Sequence, residues 1–325
     1  MNNHLTTAPR AALSRRDALR LFSLPLVSGA CVSSALFAPA VQAQTTTLGK
    51  LSRIVSVSGA MTEIVYALGA EKQLVGTDTT SLFPAAALQT AKVGYQRQLS
   101  AEGLMSLKPD AVIGTTEAGP PVVLDQIRSA GVKVELVDAD HSWAEVQRKV
   151  AAVGRATSRT AEAAALQTRL DAQWAGVLDK ITLAAKAAGP NTKAPRVIFI
   201  LSNTSSAQIS GDKTAAHAML TYAGLDNAMA GPGKRDSFSG YRLMTAEALV
   251  VAAPDVIITT TQGMDAAGGV NKFWAKSGLE LTPAYKKRAL VALDALYLMG
   301  FGPRLPQAVA DLHQQAFKAV GRATA

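Results

Sequence analysis

Ser100-Ala101-Glu102-Gly103-Leu104, followed by Lys108-Pro109-Asp110-Ala111-Val112-Ile113, has a counterpart 145 residues on. It reads Thr245-Ala246-Glu247-Ala248-Leu249, followed by Ala253-Pro254-Asp255-Val256-Ile257-Ile258. The spacing from glutamate to proline is the same in both. Gly94-Tyr95 precedes the first block as Gly240-Tyr241 precedes the second. Each block has a plain physical reading. A Ser or Thr hydroxyl caps a helix, and a Glu in the first turn meets the positive end of its dipole. Proline ends the helix, having no N–H to continue it. The apolar run that follows is a strand. Two copies of one helix–strand unit predict a duplicated architecture.

The same alternation extends outward from both blocks. Residues 53–57 read as a strand, 61–68 as a helix ending at Gly69, and 74–76 as a second strand. Residues 111–114 and 132–137 read as two more strands, with a helix over 122–129 between them. The pattern restarts at Pro195, with strands at 196–201 and 255–259 and a helix over 217–222. Strands alternating with helices argue for parallel sheets. Between the halves, residues 142–188 are rich in Ala, Leu, Gln, Arg and Glu, all good helix formers. Residues 158–188 fit one helix of ~45 Å at ~1.5 Å per residue. Their apolar spacing is too irregular for sustained heptads. The chain is therefore expected to be α/β, with two Rossmann-like lobes joined by a long α-helix. The expected divisions are 50–141 for the first lobe, 142–190 for the connecting helical segment and 191–325 for the second lobe.

Composition narrows the function. Of 325 residues, 48% are hydrophobic and 18% charged, which excludes a disordered chain. The formal charge of +9 is spread along the sequence. No basic run with interleaved aromatics points to nucleic acid. The single cysteine, Cys31, excludes a disulfide framework and a thiolate zinc site. Ser14-Arg15-Arg16-Asp17-Ala18-Leu19-Arg20 is a twin-arginine sequence, followed by an apolar stretch and by Val41-Gln42-Ala43 before Gln44. Residues 1–43 read as a twin-arginine-type signal peptide cleaved near Ala43, so a soluble periplasmic product is expected. An uncleaved membrane anchor and lipidation of Cys31 are the rival readings.

Nucleophile-elbow, phosphate-loop and dinucleotide motifs do not occur. Counting carboxylates alone leaves a hydrolase open. His141, His217 and His313 lie far apart, which argues against a zinc or manganese carrier. His141 is read as a cap of the connecting helix, and His217 as a surface or core residue on a helix.

An exported chain of this organisation resembles the substrate-binding proteins of bacterial ABC importers, of the type carrying cobalamin, siderophores and haem. Three stretches are similar to the haem-carrying members. The first is Arg53-Ile54-Val55-Ser56-Val57-Ser58-Gly59 with Thr62-Glu63-Ile64-Val65-Tyr66-Ala67-Leu68-Gly69-Ala70. The second is Val93-Gly94-Tyr95-Gln96-Arg97-Gln98-Leu99-Ser100-Ala101-Glu102-Gly103, and the third Gly300-Phe301-Gly302 with Pro306-Gln307. The resemblance implies a cleft between the lobes, with ferric haem b as the transported ligand and Tyr95 as axial ligand to its iron. Ferric iron is a hard cation, and a phenolate oxygen is a hard donor suited to it. Arg97, two residues on, is placed to neutralise a propionate or to favour the phenolate. Some members carry a second ligand, a His after the first strand of the second lobe. Here that place reads Leu201-Ser202-Asn203-Thr204, so a single haem is expected. Tyr241 and Arg242 are candidate haem contacts from the second lobe, and His217 an alternative iron ligand. Glu102 and Glu247 are the implied docking carboxylates for an inner-membrane permease dimer with its ATPase. A monomeric carrier rather than an enzyme is expected. A siderophore or corrinoid carrier of the same fold is the alternative, and a haem-dependent or hydrolytic enzyme a more distant one.

Overall fold

The computed structural model describes residues 52–202, 206–231 and 237–322. The signal segment, Cys31 and Asn203 lie outside the described residues. The first sheet holds β1 (Ile54–Ser56), β2 (Leu74–Thr77), β3 (Ala111–Thr115) and β4 (Lys133–Val137) in the order β2-β1-β3-β4. Every pairing is parallel. The second holds β5 (Arg196–Ser202), β6 (Ala207–Ser210), β7 (Asp226–Asn227), β8 (Tyr241–Leu243), β9 (Val256–Thr260) and β10 (Leu290–Leu293). Its order is β10-β9-β5-β6-β8, with β7 beside the start of β5. The helices that matter for the site are α1 (Gly59–Ala67), α2 (Ala101–Ser106), α3 (Pro121–Ser129), α4 (Trp143–Ala156), α5 (Thr160–Ala188), α6 (Ala215–Tyr222) and α7 (Ala246–Ala252).

The two repeated blocks form as their chemistry requires. Ser100 Oγ accepts from Gly103 N at the start of α2, and Thr245 Oγ1 from Ala248 N at the start of α7. In each block the residue before the proline is left-handed, Lys108 (φ 45°) after α2 and Ala253 (φ 39°) after α7. The correspondence then reaches across the sheet. Arg53, which opens the first lobe, donates to the carbonyls of Leu107 (2.7 Å) and Lys108 (3.0 Å) at the end of α2. Arg196, which opens the second, donates to Ala252 O at the end of α7. The backbone N–H of each arginine is held by the aspartate after the proline. Asp110 accepts from Arg53 (2.8 Å) and Asp255 from Arg196 (3.0 Å). A cation and an N–H donor thus satisfy the orphan carbonyls and the acid in both lobes.

The second sheet departs from the parallel expectation. β10, β9, β5 and β7 are parallel, but β6 pairs antiparallel with β5 and β8 antiparallel with β6. The reason is connection length. Only a few residues separate β5 from β6, and a parallel return needs a crossover of roughly a dozen or more.

The connecting segment holds α4 followed by the long helix α5. Helix α5 runs unbroken for 29 residues, about 43 Å. It buries Ala163, Leu166, Leu170 and Trp174, one stripe at helical spacing. Trp143 of α4 stacks on Trp174 (4.8 Å, 5°), and Tyr222 of α6 meets Trp174 edge-on (4.9 Å). These rings join three helices from both sides of the junction. A single apolar core continues from Ile54 and Ile64 through Val150, Leu166 and Trp174 to Val197 and Phe199. A smaller one, including Val55, Leu104 and Ile127, fills the other face of the first sheet. Among the described residues, no helix is long and apolar enough to cross a membrane.

Candidate functional site

A cleft of about 710 Å³ opens between the lobes, at the carboxyl ends of the parallel strands. Ligands of open α/β sheets bind at such ends, where loops leave the sheet and backbone groups are free. A second hollow of the same volume lies elsewhere on the second lobe, around Trp274, Tyr285 and Arg288.

Tyr95 reaches the cleft wall from a tightly fastened loop. Gly94 is left-handed at φ 94°, which a residue with a Cβ adopts only under strain. Its carbonyl accepts from Thr79 N (2.9 Å), and the Tyr95 carbonyl from Gln98 N (2.8 Å). Lys92 Nζ ties the neighbouring loop down through Thr77 Oγ1, Ala87 O and Ser81 O. The Tyr95 side chain is left 41% exposed. Its hydroxyl has no hydrogen-bond partner among the described residues. Leu82, Ala60, Leu296 and Met299 supply apolar surface to the same cleft.

Tyr241 faces the cleft from β8 and is a different kind of phenol. Burial pushes it up to about 12. Its hydroxyl lies 4.0 Å from Met299 Sδ. Such a group keeps its proton at neutral pH.

The floor of the cleft is a buried ion pair. Lys149 Nζ lies 2.5 Å from Glu145 Oε1, both side chains only 2% exposed. The same ammonium donates to the carbonyls of Gly300 (3.0 Å) and Phe301 (3.1 Å). Burial pulls the lysine's pKa down while the Glu145 carboxylate opposes that pull. A second bridge runs alongside. Arg304 Nε donates to Glu63 Oε1 (3.0 Å), and Nη2 lies 2.9 Å from Oε2. The guanidinium also covers the Phe83 ring at 3.8 Å. Burial raises the pKa of Glu63, with Arg304 opposing. The Gly300-Phe301-Gly302 stretch is thus a lobe junction. Its carbonyls receive Lys149, and a Cβ on Gly302 would meet Ala60 of α1 at 3.3 Å.

Residues 54–297 match the family described as "Periplasmic binding protein". The chain belongs to that family. Among solved structures, it is similar to the periplasmic heme-binding protein BhuT in complex with two hemes. The identity is 42% and the TM-score 0.76, covering 83% of this chain and 99% of that one. The periplasmic heme-binding protein RhuT from Roseiflexus sp. RS-1, in apo form, is 36% identical at a TM-score of 0.76, over 83% and 100% of the two chains. An uncharacterized ABC transporter substrate-binding lipoprotein of Bacillus subtilis (strain 168), YvrC, is 27% identical over 82% of this chain and 80% of its own length.

In this periplasmic binding protein the cleft gathers Tyr95, Arg97 and Tyr241, but not every residue singled out in the sequence. The Arg97 guanidinium is paired with Glu117 rather than with the Tyr95 phenol. Arg242 does not line the cleft. Side chains alternate along β8, so placing Tyr241 in the cleft turns Arg242 away, over the Phe238 ring at 4.4 Å. His217 also lies outside the lining, its Nε2 3.6 Å from Asp212 Oδ1. His313 is buried against Ala223 O (2.9 Å).

His141 is not the cap expected of it. Ser142 caps α4 by accepting from Glu145 N (3.1 Å), and the Glu145 carboxylate accepts from His141 N (2.6 Å). The His141 ring instead lines the cleft, 5.4 Å from the Phe301 ring. Its position just after β4, at a strand's carboxyl end, was the available signal. Glu117 follows β3 in the same way. Lys213 and the Glu145–Lys149 floor carried no such signal. Among the described residues, no group of three or more His, Cys, Asp or Glu side chains is placed to hold a metal ion.

Proposed function

We propose that the chain is a periplasmic carrier of ferric haem b, delivering it to an inner-membrane ABC importer. The observation that carries this reading is the Tyr95 phenol, unpartnered among the described residues and partly exposed on the wall of a partly apolar cleft. Its oxygen suits ferric iron, and one such bond leaves the other haem face open, as release requires. The likeness to heme-binding proteins at 42% and 36% identity over nearly their whole length supports it. Tyr241, with its phenol pushed up to about 12, is assigned a packing contact with the porphyrin rather than the iron. The reading has no chemical step. The exported protein is assigned to the periplasm through its twin-arginine signal.

The test is an absorbance titration of the exported protein with ferric haem. The expected result is a saturable spectrum with a phenolate-to-iron charge-transfer band, complete at one equivalent. Saturation at two equivalents would keep the carrier and overturn the single-haem assignment. Absence of saturable binding would overturn haem as the cargo and leave siderophores or corrinoids to be titrated next.

Glu117 gives a further expected result. Its carboxylate repels a propionate and occupies Arg97. Both side chains are partly solvated, so the effect is modest, about 1 kcal/mol or less. Glu117→Gln is expected to tighten ferric haem binding by up to about fivefold in the same titration. Weaker binding in that variant would show instead that Glu117 holds Arg97 where haem needs it.

Glu102 and Glu247 are exposed in the first turns of α2 and α7, one on each lobe, with no ion pair among the described residues. We assign them the permease contacts. The double change Glu102→Lys and Glu247→Lys is expected to leave the haem titration unchanged. It should abolish stimulation of the permease's ATPase in reconstituted vesicles. Full stimulation by the double variant would remove this role.

A further inference from the structure

The charged side chains lining the cleft are nearly all engaged with one another. Glu145 and Lys149 close a buried pair on the floor. Arg97 and Glu117 are paired on the first-lobe wall. Lys213, on the second-lobe wall, has neither an acid nor a hydrogen-bond partner for its ammonium among the described residues.

The backbone at Lys213 adds a second observation. It is left-handed, φ 56°, a conformation that glycine adopts freely and lysine does not. The turn around it leaves no alternative. Gly211 N donates to Gly240 O (2.8 Å), Asp212 N to Phe238 O (2.6 Å) and Gly240 N to Asp212 O (2.8 Å). Thr214 Oγ1 donates to Gly211 O (3.1 Å) and accepts from His217 N (3.0 Å), starting α6. A Cβ at Gly211 would run into the Phe238 carbonyl. The turn is therefore pinned to the strand that carries Tyr241. An exposed lysine stands where glycine would be easier.

We propose that Lys213 is the second-lobe anchor for a cargo carboxylate, and that it selects cargo bearing ionised carboxylates over neutral chelates of the same shape. This rests on the haem-carrier reading, in which the carboxylates are the haem propionates. It replaces Arg242, which faces away, as the cation opposite Arg97. The left-handed turn fixes where the side chain leaves the backbone, and its ammonium on the cleft wall, without a partner among the described residues, is what meets the cargo carboxylate.

The test uses two probes, ferric haem and its dimethyl ester, in which both propionates are uncharged. Lys213→Gly and Lys213→Met are titrated with each beside the wild type. One charge-assisted hydrogen bond predicts a loss of roughly tenfold or more for ferric haem in both variants. The dimethyl ester should bind all three proteins alike. Lys213→Gly should melt at or above the wild-type temperature, because the left-handed strain is relieved. Unchanged ferric haem binding in the variants overturns the proposal, as does an equal loss for the ester. A lower melting temperature in Lys213→Gly also overturns it, since the residue would then serve the fold. Failure of the wild type to bind ferric haem at all is a separate result. It overturns the carrier reading, and this proposal with it.

Discussion

Tyr95→Phe is expected to remove the charge-transfer band of the haem-loaded protein. It should weaken ferric haem binding by more than the roughly 10–100-fold typical of losing a group that merely supports a metal ligand. Phenylalanine keeps the ring and deletes only the oxygen. Tyr95 is 41% exposed and its hydroxyl has no hydrogen-bond partner among the described residues, so the melting temperature should stay at the wild-type value. Tyr241 is a poor replacement, because a phenol pushed up to about 12 by burial resists becoming a phenolate. His141 brings an imidazole to the cleft wall. A residual spectrum of nitrogen ligation would point to it, and removing His141 as well should then abolish that spectrum. Wild-type affinity and an intact band in Tyr95→Phe would sink the assignment.

Lys149→Met is expected to destabilise the protein by ~3–5 kcal/mol, the usual cost of leaving one member of a buried ion pair without its partner. Glu145 would remain buried with its charge, and the Gly300 and Phe301 carbonyls would lose their donor. The loss should appear as a lower midpoint in urea unfolding. Adding Glu145→Gln should recover part of it, since glutamine carries no charge yet still accepts from His141 N. A loss below about 1 kcal/mol in Lys149→Met would mean that water or a rearrangement solvates Glu145, against its 2% exposure. The pair also joins α4 to the loop at Gly300, and Glu63–Arg304 joins α1 to the same region. One buried and one part-buried bridge beside a continuous core favour small lobe movements on binding over a wide hinge closure.

Much of the first lobe and the frame of the second were legible before the structure. Ser100 and Thr245 cap helices, Pro109 and Pro254 follow their ends, and residues 160–188 form one unbroken helix. These depend on groups within one turn of each other, which a sequence displays directly. The pairing of Asp110 with the Arg53 N–H and of Asp255 with the Arg196 N–H was not part of the echo read from the sequence. It became visible only when β1 and β5 were set beside the strands that follow the prolines.

The errors have a common origin. The β5–β6 hairpin gives little signal in the sequence, because Ala207–Ser210 is only four residues long and alternates apolar with polar. Arg242 was placed in the cleft because sequence neighbours look alike until strand register assigns their faces. His141 was read locally, as a cap, while its ring belongs to a surface assembled from both lobes. By itself the sequence determined the duplicated blocks and the long helix between the lobes, set by interactions along a few consecutive residues. Only the tertiary structure decided that Arg97 pairs with Glu117, that Lys149 closes on Gly300 and Phe301, and that Lys213 has no partner among the described residues. Those outcomes depend on which side chains burial and strand register bring within a few ångströms, from residues up to 152 positions apart in the chain.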